Sequence, residues 1–263
     1  MERQFLILST CCYFAAVIRT LLAARNRIAL HGRFSFFAVV AGFLLQTAFL
    51  SERGHLLGRC PLTNLFEVFI FLAWSVALIY LLVGPAYRLS LMGAFTAPVV
   101  FVLQAFALIA PIDVPHRSRV PADPWLEFHA SISMIAYGAF ALACVAGVMY
   151  MIQERQLKTH RLDGIFSQLP PLTSLFGALT RLLWVGFALY SAGLLSGFFT
   201  GRPLPWVKVV YAFVIWVLYA VILQGRHWRW FSPRRVAALC VLAFPVAISV
   251  LWAINFVAQP QPM

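Results

Sequence analysis

Charge is scarce in this chain. Only 8 of its 263 residues are acidic, and charged side chains of both signs make up 11%, where a soluble domain carries about 25%. A water-facing surface cannot be built from so few ionic groups, which excludes a soluble globular fold. Disorder is excluded as well, because it needs low hydrophobicity. No glycine-repeat, low-complexity tract or internal repeat occurs. Among five cysteines there is no Cys-x-x-Cys pair, so neither a dithiol redox site nor covalent haem attachment to this chain is indicated. Cys11, Cys12, Cys144 and Cys240 sit inside apolar runs as small packing residues, and only Cys60 falls in a connection.

What the chain has is apolar mass: 62% hydrophobic and 15% aromatic residues. The apolar runs cover residues 4–23, 34–50, 62–83, 90–110, 125–151, 182–200, 206–224 and 234–257. Eight spans of about 20 residues use about 160 positions, leaving no loop long enough to fold by itself. The prediction is an all-α, polytopic integral membrane protein of about eight transmembrane helices, forming one domain over residues 1–263.

The 20 Lys and Arg residues against 8 acids give a net charge of +12. In a soluble protein that would point to nucleic acid; here the basic residues separate the apolar runs, so membrane lipid and not nucleic acid is the expected partner. Arg25, Arg27, Arg33, Arg88, Arg155, Lys158, Arg161, Arg181, Arg226, Arg229, Arg234 and Arg235 fall on one face, with Arg19 near it. Arg3, Arg53, Arg59, Arg117, Arg119, Arg202 and Lys208 fall on the other. The richer face is cytoplasmic by the positive-inside rule, which directs both termini outward. Arg19, Arg25 and Arg27 follow the first apolar run instead of preceding it, predicting a retained helix and not a cleaved secretory signal.

The longest connection, residues 152–181, repeats apolar side chains at Ile165, Phe166, Leu169, Leu172, Leu175, Phe176 and Leu179. Steps of three and four fit a helix in the cytoplasmic interface. They fit equally an N-terminal extension of the sixth span from Pro171, because proline suits a first helical turn.

Few polar residues remain for chemistry, and an unusual set gathers on the outward face. It contains His55, His116 and His129, Trp125 and Trp206, and the cations Arg59, Arg117, Arg119, Arg202 and Lys208. Haem uses all three kinds: imidazole ligates iron, aromatic rings lie against the macrocycle, and cations pair with propionates. Each kind also has an ordinary reading, since Trp marks membrane boundaries and His55 and His116 read as solvated loop residues. His129 is the most informative, lying one turn into the fifth span, where ionisable groups are rare. From it Ser133, Ala136, Phe140, Ala143 and Gly147 recur at helical steps, a mostly small-residue stripe that admits another helix or a flat ligand. The plain alternative is a packed histidine bonded to a carbonyl. Asn64-x-x-Glu67 after Pro61 reads as a capping box for the third span. His31, His160 and His227 sit among arginines in the cytoplasmic basic collar.

These residues carry a resemblance. Gly58-Arg59-Cys60-Pro61-Leu62-Thr63-Asn64-Leu65-Phe66-Glu67, followed by Phe71-Leu72-Ala73-Trp74, resembles a segment of the CcsA-like cytochrome c assembly family. Trp125-Leu126-x-x-His129 with Ser133 and Ala136-Tyr137 resembles that family's helix bearing an outward haem-ligating histidine. Gln153-Glu154-Arg155-Gln156-Leu157-Lys158, Trp216-Val217-Leu218-Tyr219-Ala220 and Asn255 match in order. The departures are as informative. Gly201-Arg202-Pro203-Leu204-Pro205-Trp206-Val207-Lys208 stands in place of the tryptophan-rich signature, with only Trp206 and Lys208 as remnants. Arg59 and Gln224 occupy histidine positions, and no histidine follows the last helix. This pattern is similar to the HemX-like branch.

The resemblance implies non-covalent haem as cofactor, with His129 as an axial ligand to the iron. Trp125 and Trp206 would form apolar walls, and Lys208, Arg59 and Arg202 would contact propionates beside His55. No catalytic residue is assigned. The expected role is an accessory haem-handling factor in c-type cytochrome biogenesis, not an enzyme, in a bacterial plasma membrane. Its partners would be other maturation components or a haem-pathway enzyme. The alternative is a non-catalytic regulator or scaffold of haem metabolism; a small-solute transporter lacks the buried acids and broken-helix repeats such proteins use.

Overall fold

In a bilayer every backbone N–H and C=O must find its partner within the protein, which leaves the helix as the natural form for an apolar run. The computed structural model describes residues 2–26, 32–83, 92–110, 112–113, 123–159, 171–200 and 206–257. These form α1 (Glu2–Asn26), α2 (Gly32–Leu57), α3 (Leu65–Val83), α4 (Met92–Ile109), α5 (Pro124–Thr159), α6 (Leu172–Gly197), α7 (Trp206–His227) and α8 (Pro233–Val257), with a 3-10 turn at Phe198–Thr200 closing α6. No strand occurs among the described residues. Of these helices, α1 to α7 are long and apolar enough to cross a membrane, so the chain is a polytopic integral membrane protein.

Several boundaries differ from the apolar runs because helix propensity continues past the apolar stretch. α2 extends to Leu57, which places Arg53 and His55 in its last turns; His55 is therefore helical and exposed, not a loop residue. Gly58 stops it. Its φ of 63° is left-handed, and the amides of Gly58 and Arg59 bond back to the carbonyls of His55 and Gly54, a Schellman closure. α6 begins at Leu172, immediately after Pro171 at φ −52°, ψ 146°, and the Pro171 carbonyl accepts from Ser174 and Leu175. Leu175 and Leu179 are buried in its core-facing stripe. Of the two readings of the 152–181 connection, the described residues thus support the extended sixth span, with Arg181 inside it; Ile165, Phe166 and Leu169 lie outside them.

The helices pack as two groups. α1 to α4 contact one another, as do α5 to α8, and the seam between α3 and α5 joins them. A Cβ on Gly138 of α5 would lie 2.7 Å from the Ser75 carbonyl carbon of α3, so these backbones approach as only glycine allows. Every residue from Ala136 to Phe140 and on to Ala143 is buried, as expected of a helix with neighbours on all sides. The first group is tied by amide and hydroxyl bonds: Gln46 donates to the Ile70 carbonyl at 2.8 Å, Ser9 to the Gly42 carbonyl at 2.8 Å, and Thr10 to Gln104 at 2.9 Å.

Candidate functional site

α5 is started by Asp123, whose carbonyl accepts from Glu127 and whose side chain accepts from the Trp125 amide at 3.0 Å. Pro124 takes the first helical position, where its missing N–H is harmless. This start sets the phase that carries Trp125 and His129 one turn apart on the same helix face. His129 is half-buried against α6. Its Nδ1–H donates to the Gly193 carbonyl at 2.6 Å, which also accepts from the Ser196 hydroxyl at 2.7 Å. The ring lies close over Gly197, where a Cβ would meet Cε1 at 3.1 Å and Nδ1 at 3.2 Å.

The stripe running down α5 from His129 takes helices and not a ligand. Cβ atoms on Gly193 and Gly186 of α6 would strike the Ser133 hydroxyl at 2.6 Å and the Phe140 ring at 2.7 Å. Gly147, further along, faces the Ala237 carbonyl of α8 at 3.1 Å from its notional Cβ. Sequence reasoning identified the α5 stripe but not its mates, although Gly193-x-x-x-Gly197 is a readable close-packing pattern. Above His129 the surface is aromatic: Trp125 leans on Phe199 with ring centroids 5.7 Å apart. Trp125 is 52% exposed, Phe199 67% and Trp206 75%, so the packing of these helices leaves their faces uncovered.

The loop carrying Arg59 touches α5 through Cys60, whose Sγ lies 3.4 Å from the Ser131 hydroxyl. Ser131 stands about 200° around the helix from His129, so this loop and α6 grip different faces. Burial pushes the Cys60 thiol up, the Ser131 hydrogen bond opposes that, and Glu127 and Glu67 add to it. Trp206 and Lys208 open α7, with Lys208 half-buried. Arg202 and His116 lie outside the described residues.

Glu67 is buried and serves as the cap expected of it. The Asn64 side chain accepts from the Glu67 amide at 2.8 Å, while Glu67 Oε2 accepts from the Thr63 amide and hydroxyl, each at 2.7 Å. Its other oxygen binds Arg53 at 3.0 Å, and the same guanidinium reaches Glu2 at 3.1 Å and Asp113 at 2.7 Å. Asp113 also pairs with Arg3 at 2.8 Å. This network, drawn from α1, α2, α3 and the segment after α4, was missed because charge alone does not say which distant residues meet.

No group of three or more His, Cys, Asp or Glu able to hold a metal ion occurs among the described residues. The donor at His129 does fit one axial position on haem iron. A carbonyl accepts only, so Nδ1 carries the proton and Nε2 keeps its lone pair, the arrangement in which a ligating histidine donates its other N–H to a backbone carbonyl. Nε2 makes no hydrogen bond among the described residues.

Residues 62–259 match the family described as Cytochrome C assembly protein. The chain is 26% identical over 171 residues to Protein HemX of Brevibacillus brevis, covering 65% of this chain and 63% of the relative. It is 25% identical over 231 residues to Cytochrome c biogenesis protein CcsA of Chlamydomonas reinhardtii, covering 82% and 64%. With Cytochrome c biogenesis protein CcsA of Prochlorococcus marinus (strain MIT 9301) it shares 28% over 242 residues, 81% of this chain and 78% of the relative. The chain thus spans less than two thirds of the length of the first two.

Proposed function

The chain belongs to the cytochrome c assembly family, and on that premise we propose that it acts in c-type cytochrome biogenesis, handling haem at the membrane face that bears His129. The observation that carries this reading is the family match over residues 62–259; the 2.6 Å bond from His129 Nδ1–H to the Gly193 carbonyl, which a merely packed histidine would also make, leaves Nε2 of the neutral imidazole free to ligate iron. Haem supplies the redox iron of the finished cytochrome and is here cargo, held without a covalent bond. Trp125 and Trp206, uncovered by protein, offer apolar plates to a porphyrin. Lys208 and Arg202 supply cations for its propionates, with Arg59 and His55 at the same end of the bundle. Thioether formation is left to other maturation components, as is the second axial position. The membrane is the bacterial plasma membrane, with the His129 end outward.

The test is an absorption spectrum of the detergent-purified chain after haem loading. A Soret band is expected in the wild type and should be lost in His129→Ala, while Trp125→Ala weakens haem retention. A band of equal intensity and position in wild type and His129→Ala would remove the ligand assignment.

A second reading, a non-catalytic regulator or scaffold of haem metabolism, is favoured by the exposed cations Arg155, Lys158, Arg229, Arg234 and Arg235 at the opposite end and by the likeness to Protein HemX. Under it a cytoplasmic haem-pathway enzyme co-purifies equally with wild type and His129→Ala, with or without haem.

A further inference from the structure

Two of the described helical arginines are half-buried, one at each end of the bundle, and they are treated in opposite ways. Arg53 is surrounded by three carboxylates, as described above. Arg226, in the last turn of α7, has no carboxylate partner among the described residues. Its guanidinium lies over the Phe176 ring of α6 at 4.8 Å, and its Nε is enclosed with no hydrogen-bond partner among the described residues. Glu154, the acid nearby on α5, is held by Lys158 at 2.7 Å and faces Arg234 at 3.7 Å. The stacking fixes the guanidinium but cannot neutralise it, and a partly desolvated cation without a counter-charge is costly.

The surroundings specify the missing partner. α7 ends in a sharp reversal, with Arg229 at φ 60° and the Phe231 ring folded over Gly225, whose carbonyl accepts from the Phe231 amide at 3.0 Å. That reversal sets Trp228 and Trp230 side by side, centroids 4.6 Å apart, at 53% and 65% exposure. Paired exposed tryptophans at the end of a span belong at the depth of lipid headgroups. The positive N-terminus of α8 follows at once, begun by Ser232, which caps the Arg235 amide at 3.4 Å, so the helix dipole adds to the attraction for an anion.

We infer that Arg226 is the anchor of a binding site for the phosphate of an anionic phospholipid headgroup, seated between the start of α6, the end of α7 and the start of α8. Arginine suits this because its planar fork bonds two phosphate oxygens while its face stays on the ring. The site is at the opposite end of the bundle from His129 and does not depend on haem.

The full chain in uncharged detergent is titrated with phosphatidylglycerol, phosphatidylcholine or sodium phosphate, and bound lipid is read by native mass spectrometry. Phosphatidylglycerol should bind the wild type and bind Arg226→Gln about tenfold more weakly, with Arg226→Lys intermediate. Arg25→Gln, an exposed control at the end of α1, should stay near wild type. Equal binding to wild type and Arg226→Gln overturns the site, and so does phosphatidylcholine bound as well as phosphatidylglycerol. Displacement of the lipid by sodium phosphate at similar concentration overturns the lipid as source. Should Arg226→Gln fail to elute as a single folded species, Arg226→Lys decides: binding equal to wild type refutes the anchor.

Discussion

At the scale of single residues, the value of a charged side chain here depends on its partners. Arg53 and Glu67 have side chains 12% and 1% exposed, and removing one member of such a buried pair strands the other's charge. Arg53→Ala is expected to lower stability by about 3–5 kcal/mol, since Glu2 and Glu67 lose their counter-ion and Asp113 keeps only Arg3. Lys158→Ala breaks an i,i+4 pair whose lysine is 61% exposed and should change stability by under about 0.5 kcal/mol. Thermal unfolding of the two variants in detergent decides the matter, and equal shifts would refute the assigned weight of the network. Glu67 was legible as a cap from Asn64-x-x-Glu67 alone, since a cap is local. Its bond to Arg53 was not, because Glu2, Arg53, Glu67 and Asp113 come from four distant parts of the chain.

At the scale of helices, glycines decide which faces close. A Cβ on Gly138 meets the Ser75 carbonyl carbon at 2.7 Å and its oxygen at 2.9 Å, and backbone cannot turn aside as a side chain can. Gly138→Ala therefore pries α3 from α5 and should destabilise by about 1–3 kcal/mol. Gly177, near the start of α6, has nothing within 4 Å of its notional Cβ, so Gly177→Ala should be neutral or gain up to about 1 kcal/mol from helix propensity. Comparing their melting temperatures tests this, and a Gly138→Ala as stable as the parent would show that the two helix groups are not joined there. The stripe from His129 to Gly147 was visible in the sequence as small residues at helical steps. That α6 closes over it beside His129, Ser133 and Phe140 came from glycines 186, 193 and 197 on a separate helix.

For the whole molecule, the loop charges predict an orientation, and labelling can check it. His55→Cys and Arg229→Cys place thiols at exposed positions on opposite ends. In intact cells an impermeant maleimide should modify the first and reach the second only after permeabilisation; the reverse pattern would invert the topology and move His129 to the cytoplasmic side. Native Cys60 is a poorer reporter, half-buried and with its thiol pushed up by burial, so it stays protonated and slow at neutral pH. The two groups of helices, α1 to α4 and α5 to α8, leave His129 and Arg226 in the second and the Arg53 network in the first.

Membrane residence, helical class and the approximate spans could be derived from the sequence because they rest on local properties. An apolar run of about 20 residues and a backbone that must satisfy itself leave little other choice. The cap at Asn64 belongs to the same level, whereas the start at Asp123 and the stop at Gly58 came from the structure. Only the tertiary structure decided that the imidazole of His129 turns to the Gly193 carbonyl and which of its nitrogens is left free. It likewise decided that Arg53 meets three carboxylates while Arg226 meets none among the described residues. Those outcomes depend on groups far apart in the chain being brought within 3 or 4 Å by helix packing, a distance that no spacing along the sequence encodes.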